Sequence, residues 1–527
     1  MTPTEQAISA LPPHLRRFAV EQHYDAYTPR DHAVWRYVLR RLVEGLAGRA
    51  HPKWFAGLGA TGIGTESIPD LDDMNVALAR CGWSTVPVRG FIPPAVFTEL
   101  QSRRVLAIAA DVRTHEHVEY TPAPDIVHES AGHAPLVSEP TYAEYLRRCG
   151  EAGFRAIASA EDQAVFEAIR NLSVVKEDPA ATPEEVELAE AQLEAAAASQ
   201  REPSEATRAS RLYWWTAEYG LVGPLASPWI YGAGLLSSFG EAAHCLGPEV
   251  ERIPLDAACA EAPYDITRMQ PRLFVARDFE HLFEVLEEVS ATMSFARGGE
   301  HGIDAAIRAR TVNHLVLAGG REVTGRVSAR IPTGGPAALV RLEGPILRSR
   351  GGVGEGGPFP GEGLVALGEG ALPERGPFDV AFASGLRLRG FAVGGGEVLR
   401  LEATLAGAPL DVPPWAVLAV ARSVPSVRGG PADPGTWDGW FGALSTFAAG
   451  EGEARARAHK ATALPPPLAA LYAEVRAFRG SGAAARDRLL AIRAAARAFE
   501  DDWLLAREVE ELLGAERPDE RAGAAAS

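Results

Sequence analysis

The sequence predicts a mainly α-helical N-terminal domain, then a β-rich domain, then a C-terminal helical segment. Three patterns along the 527 residues predict this order. Apolar residues recur at three- and four-residue spacing through residues 10–300, as in amphipathic helices. Short alternating segments, separated by glycine and proline clusters, occupy residues 301–450. An alanine-, arginine- and glutamate-rich helical pattern occupies residues 451–527, so we expect three units with these bounds.

The composition is that of a globular protein and argues against several kinds of partner. Hydrophobic residues make up 46% of the chain and charged residues 23%, which supports a large core. The formal net charge of −17 disfavours binding to nucleic acid or to an anionic membrane. No signal sequence is found, and no segment approaches the roughly 18 apolar residues that span a bilayer. We therefore expect a cytoplasmic protein without a nucleic-acid or membrane partner.

The N-terminal unit contains three segments with a clear helical pattern, and an insertion. The helical segments are WRYVLRRLVEGL (35–46), DLDDMNVALARCG (70–82) and RDFEHLFEVLEEVSATM (277–293). The insertion lies near residues 155–205, where Thr182, Pro183 and Glu185 form a capping box at the start of a helix. We expect the insertion to be a helical excursion over the surface.

The two units after residue 300 carry different patterns. The segments HLVLAG, EVTGRVSARI, ALVRLEG and EVLRLEATLAG alternate apolar and polar residues, which predicts antiparallel β-structure. The C-terminal segment has an apolar seam with three-four spacing, formed by Leu489, Ile492, Ala496, Phe499 and Trp503. This seam either packs on the body of the chain or joins a second copy in a homo-oligomer.

A short segment rich in metal-binding side chains, PDIVHESAGHAP, occupies residues 124–135. A zinc peptidase motif places two histidines four residues apart, which brings both to one face of a helix. Here His128 and His133 are five residues apart, so a regular helix would separate them by roughly 140°. A shared ion therefore requires a distorted helix. Gly132 and Pro135 supply a cause, and we expect the helix to end around His133.

A third ligand is needed, and the best candidate is Glu218 in RLYWWTAEYGLVG. The aromatic residues of this helical segment predict burial, and a buried carboxylate needs a charged partner. Two imidazoles and one carboxylate form the facial triad of non-haem Fe(II) enzymes. Taken singly, the three residues would be interpreted as a surface histidine, a helix cap and a solvated charge. Their combination favours iron over zinc.

Three blocks carry a resemblance to a known family: VEYTPAPDIVHESAGHAPLV, LYWWTAEYGLV and IYGAGLLSSFGE. In this order they closely resemble the catalytic domain of the biopterin-dependent aromatic amino acid hydroxylases. YDAYTPRDHAVWRYVLRRL, IPDLDDMNVAL and ITRMQPRLFVA resemble it more weakly, so the resemblance covers roughly residues 15–298. It implies the mainly α catalytic fold of this family, with Fe(II) held by His128, His133 and Glu218. It also implies tetrahydrobiopterin, or a related tetrahydropterin, and O2 as co-substrates.

The resemblance also assigns residues to the amino acid substrate and to the pterin. Arg113 takes the position of the arginine that grips the α-carboxylate of the substrate, for which a guanidinium offers bidentate geometry. The implied substrate-binding residues are Arg113, Thr121, Pro124, Trp214, Gly234 and Ser237. The implied cofactor-binding residues are Phe97, Ile92 and Glu129, with the Phe97 ring as the surface on which the pterin stacks. No side chain beyond the metal centre is implied to be catalytic.

The implied function is hydroxylation of an aromatic amino acid ring, with conversion of L-phenylalanine to L-tyrosine as the expected reaction. Tryptophan 5-hydroxylation and tyrosine 3-hydroxylation are alternatives, because all three kinds of hydroxylase share these blocks. Two alternatives belong to other classes: a zinc-dependent hydrolase that uses Glu129, and a binding protein that uses the β-rich half. Three features depart from the family pattern: Ala123 replaces an acidic residue, Tyr219 replaces phenylalanine, and 85 positions separate His133 from Glu218.

Overall fold

The computed structural model describes most of the chain, and the structural statements below concern that part. The described residues are 1–90, 92–115, 118, 125–177, 180–266, 268–331, 338–350, 353–355, 357–430, 464–481, 486–499 and 501–515. Two predicted substrate-binding residues, Thr121 and Pro124, lie outside them. No helix among the described residues is long and apolar enough to cross a membrane.

Helices dominate the described chain up to Ala309. They are α1 Pro3–Ala10, α2 Pro13–Arg16, α3 Pro29–Gly45, α4 Pro52–Ala60, α5 Leu71–Leu78, α6 Pro94–Ser102, α7 Pro140–Arg155, α8 Ala160–Glu177, α9 Pro183–Ser199, α10 Glu205–Tyr213, α11 Ala233–Leu236, α12 Phe239–His244, α13 Phe279–Ala291, α14 Ser294–Arg297 and α15 Gly299–Ala309. Short 3-10 helices cover Tyr24–Ala26, Ala79–Cys81, Ala134–Ser138 and Ala257–Glu261, and π-helical turns cover His128–His133 and Trp214–Glu218. The three predicted helical segments are confirmed as α3, α5 and α13.

Two small sheets support these helices. Their strands are β1 Ser84–Val88 and β2 Val105–Ala109 in one sheet, and β3 Leu221–Val222, β4 Trp229–Ile230, β5 Glu251–Pro254 and β6 Arg272–Ala276 in the other. The apolar core between helices and sheets buries large side chains completely, including Trp35, Trp54, Tyr142, Trp215 and Tyr231. Both π-helical turns are inside this core, so residues on them are held by dense packing.

The predicted insertion contains two helices, α8 and α9, that pack against each other. The predicted capping box is confirmed at the start of α9: Thr182 and Glu185 each accept a hydrogen bond from the backbone of the other. Asp162 on α8 accepts hydrogen bonds from Gln200 and Thr207, both at 2.7 Å. These bonds connect α8 to α10 and to the segment that precedes α10.

A single large sheet follows the helical part. It consists of β7 Val312–Val316, β8 Arg321–Ile331, β9 Leu339–Arg350, β10 Val353–Gly354, β11 Glu362–Leu367, β12 Gly376–Ala381, β13 Leu386–Gly394, β14 Glu397–Leu405, β15 Ala408–Leu410, β16 Trp415–Ala421 and β17 Ser426–Gly429. The predicted antiparallel pairing is confirmed except between β11 and β16, which run parallel. Central strands are buried on both faces: Val340 and Val365 join one apolar cluster, and the adjacent Leu339 and Leu364 join another.

The described C-terminal residues form three helices that pack against the N-terminal helical part of the chain. They are α16 Pro466–Ser481, α17 Arg486–Ala496 and α18 Trp503–Ala515, and α16 and α18 contact α3. In the predicted seam, Leu489, Ile492 and Ala496 are buried in the same core as the π-helical turns. The seam therefore packs within the chain. A homo-oligomer through these helices stays a prediction, and it would have to use their other faces.

A buried ion-pair network joins α18 to α3. The Arg36 guanidinium donates to both carboxylate oxygens of Glu508 at 2.5–3.2 Å, and the two side chains are only 3% and 2% exposed. Arg479 on α16 donates to the same carboxylate at 3.0 Å. Because a charge buried without a partner is costly, these three residues have to stay together.

Removing one member of this network should destabilise the protein strongly. We expect Glu508→Ala to lower the free energy of unfolding by about 3–5 kcal/mol, because the buried Arg36 guanidinium loses its carboxylate partner. Arg479 would still pair with Glu511. The matched control is Glu474→Ala, which breaks a more exposed pair with Arg488 and should cost less than about 1 kcal/mol. Urea unfolding of both variants measures the difference, and equal midpoints would contradict the prediction.

Candidate metal centre

The two histidines of the PDIVHESAGHAP segment lie on a π-helical turn, His128–His133. A π-helix bonds each N–H to the carbonyl five residues earlier, as the Ala134 N–H does to Glu129. This wider turn brings residues five apart to the same side, so it fits the spacing of the two imidazoles. The π-helical turn ends at His133, as expected, but a 3-10 helix, Ala134–Ser138, follows it directly.

Gly132 has a different role from the one the sequence suggested. A Cβ atom at this position would lie 2.8 Å from the Ala233 carbonyl oxygen and 2.9 Å from the Ala233 Cβ. Only glycine therefore permits α11 to approach the turn that carries the histidines. This approach matters because α11 leads directly into Ser237, which contacts His128.

Glu218 comes from a second π-helical turn, Trp214–Glu218, at the end of α10. The Tyr219 N–H closes this turn on the Trp214 carbonyl at 2.8 Å. The carboxylate reaches both imidazoles: its Oε1 lies 3.0 Å from His133 Nε2, and its Oε2 lies 3.4 Å from His128 Nε2. All three ligand atoms lie within 4.8 Å of one another, the one such histidine–carboxylate group among the described residues.

The electrostatics of this cluster favour a positive charge. Burial raises the pKa of Glu218, but the two imidazoles lower it more, so the pKa falls below its ordinary value. Burial lowers the pKa of His128, but the Glu218 charge raises it more, to about 9. Both shifts report a field that stabilises a cation between the three side chains. Two nitrogen donors and one carboxylate therefore fit a divalent metal ion in charge and in chemistry.

A hydrogen bond from His128 to Ser237 places a proton on Nδ1 of His128. The Ser237 hydroxyl donates to the Ala233 carbonyl at 2.8 Å, so its oxygen must accept from His128 Nδ1–H, also at 2.8 Å. With Nδ1–H donated to Ser237, Nε2 is the nitrogen that faces Glu218, and it would bind a metal after losing its proton. Ser237 as a substrate-binding residue stays a prediction, and the structure adds its contact with His128.

Arg113 is buried and is held by an aspartate. Its Nε and Nη2 donate to the two carboxylate oxygens of Asp125 at 2.7 and 2.9 Å, and its Nη1 donates to the Val118 carbonyl at 3.3 Å. Burial raises the pKa of Asp125, but Arg113 lowers it more. Asp125 occupies one edge of the guanidinium. The outer edge, between Nη1 and Nη2, is a different edge from the one that Asp125 occupies.

Asp125 also contacts the metal-binding turn, and it is a functional candidate that the sequence interpretation missed. Its Oδ1 accepts a hydrogen bond from the His128 backbone N–H at 3.1 Å. One carboxylate thus connects Arg113 to the start of the turn that carries both histidines. A signal was present in the sequence, since an aspartate three residues before a helical position is typical of an N-terminal cap.

The predicted ring-pocket residues Trp214 and Gly234 lie beside Glu218. The Trp214 indole is stacked between Tyr219 and Tyr264, with ring centroids 4.4 and 4.1 Å away. A Cβ on Gly234 would lie 2.8 Å from the Tyr219 ring, so glycine is required there. Tyr219, the residue that replaces phenylalanine in the family pattern, therefore fills the space between Trp214 and Gly234 and orients the indole.

The predicted cofactor-binding residues occupy two places. Glu129 is buried on the metal-binding turn, and burial raises its pKa. Ile92 and Phe97 are half-buried and pack on a separate small core beside β1 and β2. Phe97 still approaches the metal site, because its ring contacts the edge of Tyr213 at 5.8 Å and the Tyr213 ring lies 6.2 Å from His133.

Comparison with known proteins assigns the family. A sequence model described as "Biopterin-dependent aromatic amino acid hydroxylase" matches residues 21–169 and 185–297. Over 266 residues the chain is 31% identical to phenylalanine-4-hydroxylase of Pseudomonas aeruginosa, covering 50% of this chain and 84% of that protein. The chain belongs to the biopterin-dependent aromatic amino acid hydroxylases. The enzyme of the same name from Chromobacterium violaceum is 29% identical over 270 residues, covering 51% of this chain and 76% of that protein.

Solved structures of the same kind of protein also match. A crystal structure of Chromobacterium violaceum phenylalanine hydroxylase, described as holding iron(III) and 7,8-dihydrobiopterin, is 27% identical with a TM-score of 0.42. The match covers 55% of this chain and 90% of that one.

The residues matched by the family model of this hydroxylase include all three members of the metal cluster. The unmatched stretch 170–184 lies inside the predicted insertion, at the junction between α8 and α9. The large sheet and the C-terminal helices lie beyond residue 297, after the matched residues. The family match of this hydroxylase therefore ends before the large sheet begins.

The bond between Ser237 and His128 should affect metal affinity. We expect Ser237→Ala to weaken Fe(II) binding by about 10-fold or more, because the imidazole loses the partner that fixes its tautomer and orientation. Competition with a coloured chelator measures the dissociation constant. The control is Ser130→Ala on the same π-helical turn, where the buried hydroxyl has no hydrogen-bond partner among the described residues. Equal losses in both variants would refute the role of Ser237.

Proposed function

We propose that this hydroxylase converts L-phenylalanine to L-tyrosine with Fe(II), a tetrahydropterin and O2. The observation that carries the proposal is the cluster of His128, His133 and Glu218 in a chain of this family. The relatives named above are phenylalanine-4-hydroxylases, which favours phenylalanine over tryptophan and tyrosine as the substrate. Residues 10–300 would form the catalytic unit.

The metal would be held by two imidazoles and one carboxylate, which leaves other coordination positions open. When bound, iron together with the tetrahydropterin supplies the activated oxygen for ring hydroxylation. The chain itself orients the ligands. Ser237 keeps the proton on Nδ1 of His128, and Glu218 lies within reach of both imidazoles.

The amino acid would be held at both of its ends. Arg113 would bind the α-carboxylate through its outer edge, while Asp125 holds the adjacent edge, formed by Nε and Nη2, and keeps the guanidinium aligned. Trp214 and Gly234 would line the ring pocket, with the indole held rigid by its two stacked tyrosines. Thr121 and Pro124 would complete this cradle, as the family resemblance implies. Such positioning places the ring next to the metal and excludes water.

The pterin would lie on the side of Phe97. The ring centroid of Phe97, on α6, lies 5.8 Å from that of Tyr213, which in turn lies 6.2 Å from that of His133. Ile92 belongs to the same small core as Phe97. Glu129 on the metal-binding turn would form the other wall of the pterin site. A zinc hydrolase that uses Glu129 is not favoured, because the family match spans all three metal-binding residues.

A product assay tests the proposed reaction. The purified, iron-loaded protein is incubated with tetrahydrobiopterin, O2 and each of the three aromatic amino acids, and products are identified by mass spectrometry. We expect tyrosine from phenylalanine as the fastest product, and no product with Glu218→Ala, which removes the carboxylate from the ligand set. Faster formation of 5-hydroxytryptophan or of 3-hydroxytyrosine would overturn the choice of substrate.

The carboxylate contact of Arg113 is tested with Arg113→Lys. Lysine keeps the charge but loses the planar fork, so we expect KM for phenylalanine to rise about 10- to 100-fold. KM for the tetrahydropterin should stay unchanged, because Arg113 is assigned to the amino acid alone. Arg148→Lys, at an exposed pair with Glu144, is the control for a general effect of the substitution. A normal KM for phenylalanine would remove Arg113 from the substrate site.

A further inference from the structure

The loop that carries Arg113 is anchored at alternate residues. It follows β2 and has no regular secondary structure between Asp111 and Thr114. The Asp111 carbonyl accepts from the Ile126 N–H at 2.9 Å, and Arg113 is bound to Asp125. Two residues later, His115 is buried at 5% exposure. One contact of His115 lies outside the part of the chain that the family model matches.

His115 contacts the C-terminal helices. Its Nε2 lies 3.3 Å from the carbonyl oxygen of Asp501, which is 386 positions away in the sequence. A carbonyl can only accept, so Nε2 carries the proton and donates it to this oxygen. The loop of the predicted substrate arginine is thereby attached to the turn between α17 and α18.

In that turn, the Asp502 side chain is held by several contacts. Asp502 is only 6% exposed, and its Oδ1 accepts from the Tyr472 hydroxyl at 2.5 Å and from the Leu505 N–H at 3.1 Å. Arg30, next to the start of α3, lies 3.6 Å from the other carboxylate oxygen of Asp502. Asp502, which follows Asp501 directly, is therefore held by α3 and by α16, the helix that carries Tyr472.

We propose that the C-terminal helices position the substrate loop of this hydroxylase, with His115 as the positioning residue that transmits their hold to Arg113. The proposal rests on the proposed function, because it takes Arg113 as the ligand of the α-carboxylate. Without the bond from His115 to Asp501, the loop after Arg113 would lose its third anchor. The guanidinium would then be less well aligned, and binding of the amino acid would weaken.

The test uses the full-length, iron-loaded enzyme and steady-state kinetics. His115→Ala should raise KM for phenylalanine about 2- to 10-fold, which is the effect expected when one hydrogen bond is lost. The kcat, KM for the tetrahydropterin and Fe(II) affinity should stay unchanged, whereas loss of general stability would lower kcat or iron content as well. His115→Gln keeps an N–H donor and should restore most of the affinity. Arg488→Gln, which breaks the exposed pair on α16 and α17, is the control.

A second variant examines the other side of the same contact. Asp502→Asn weakens the bonds that hold the turn and should raise KM for phenylalanine in the same way. Because both variants act through one contact, their effects should be less than additive in His115→Ala/Asp502→Asn. An unchanged KM in both single variants, or full additivity, would overturn the proposal. Wild-type enzyme that forms no hydroxylated amino acid would instead refute the proposed function.

Discussion

The pairing of one buried carboxylate with two imidazoles is the interaction on which this structure depends. Glu218 would be costly to bury alone, and its burial is compensated only if His128 and His133 reach it. Several features of the fold bring the two histidines close to Glu218. Both ligand segments widen into π-helical turns, and Gly132 allows α11 to pack against one of them. The Glu218 carboxylate beside the two imidazoles favours a bound cation, so this part of the fold is suited to a metal ion.

The substrate side is connected to this site through Asp125. The same carboxylate holds Arg113 and accepts from the His128 backbone, so the predicted α-carboxylate ligand and the metal-binding turn share one support. Beyond it, His115 extends the connection to the C-terminal helices. These helices share the main core of the catalytic part and add the buried pair of Arg36 and Glu508. The apolar core around the metal cluster of this hydroxylase therefore includes residues beyond the region that the family model matches.

The sequence predicted features that depend on local spacing more accurately than features that depend on contacts between distant residues. Helices α3, α5 and α13 were predicted well because their apolar spacing is local, and so was the capping box of Thr182 and Glu185. The kind of helix that carries the histidines was not predicted, because a π-helical turn is stabilised by packing against distant residues such as Ala233. The contact between Ser237 and His128 was not predicted for the same reason, since it spans 109 positions.

The sequence by itself determined which side chains could form the metal site, and in which order helical and β-rich units follow one another. Those properties depend on residue type and on spacing over a few positions, and both can be read from the sequence. Only the tertiary structure decided that Asp125 holds Arg113 and that the seam of Leu489 and Ile492 packs on the catalytic core. It also decided that the Asp501 carbonyl meets His115. Such pairings depend on which surfaces meet when the whole core forms, and no local spacing encodes that.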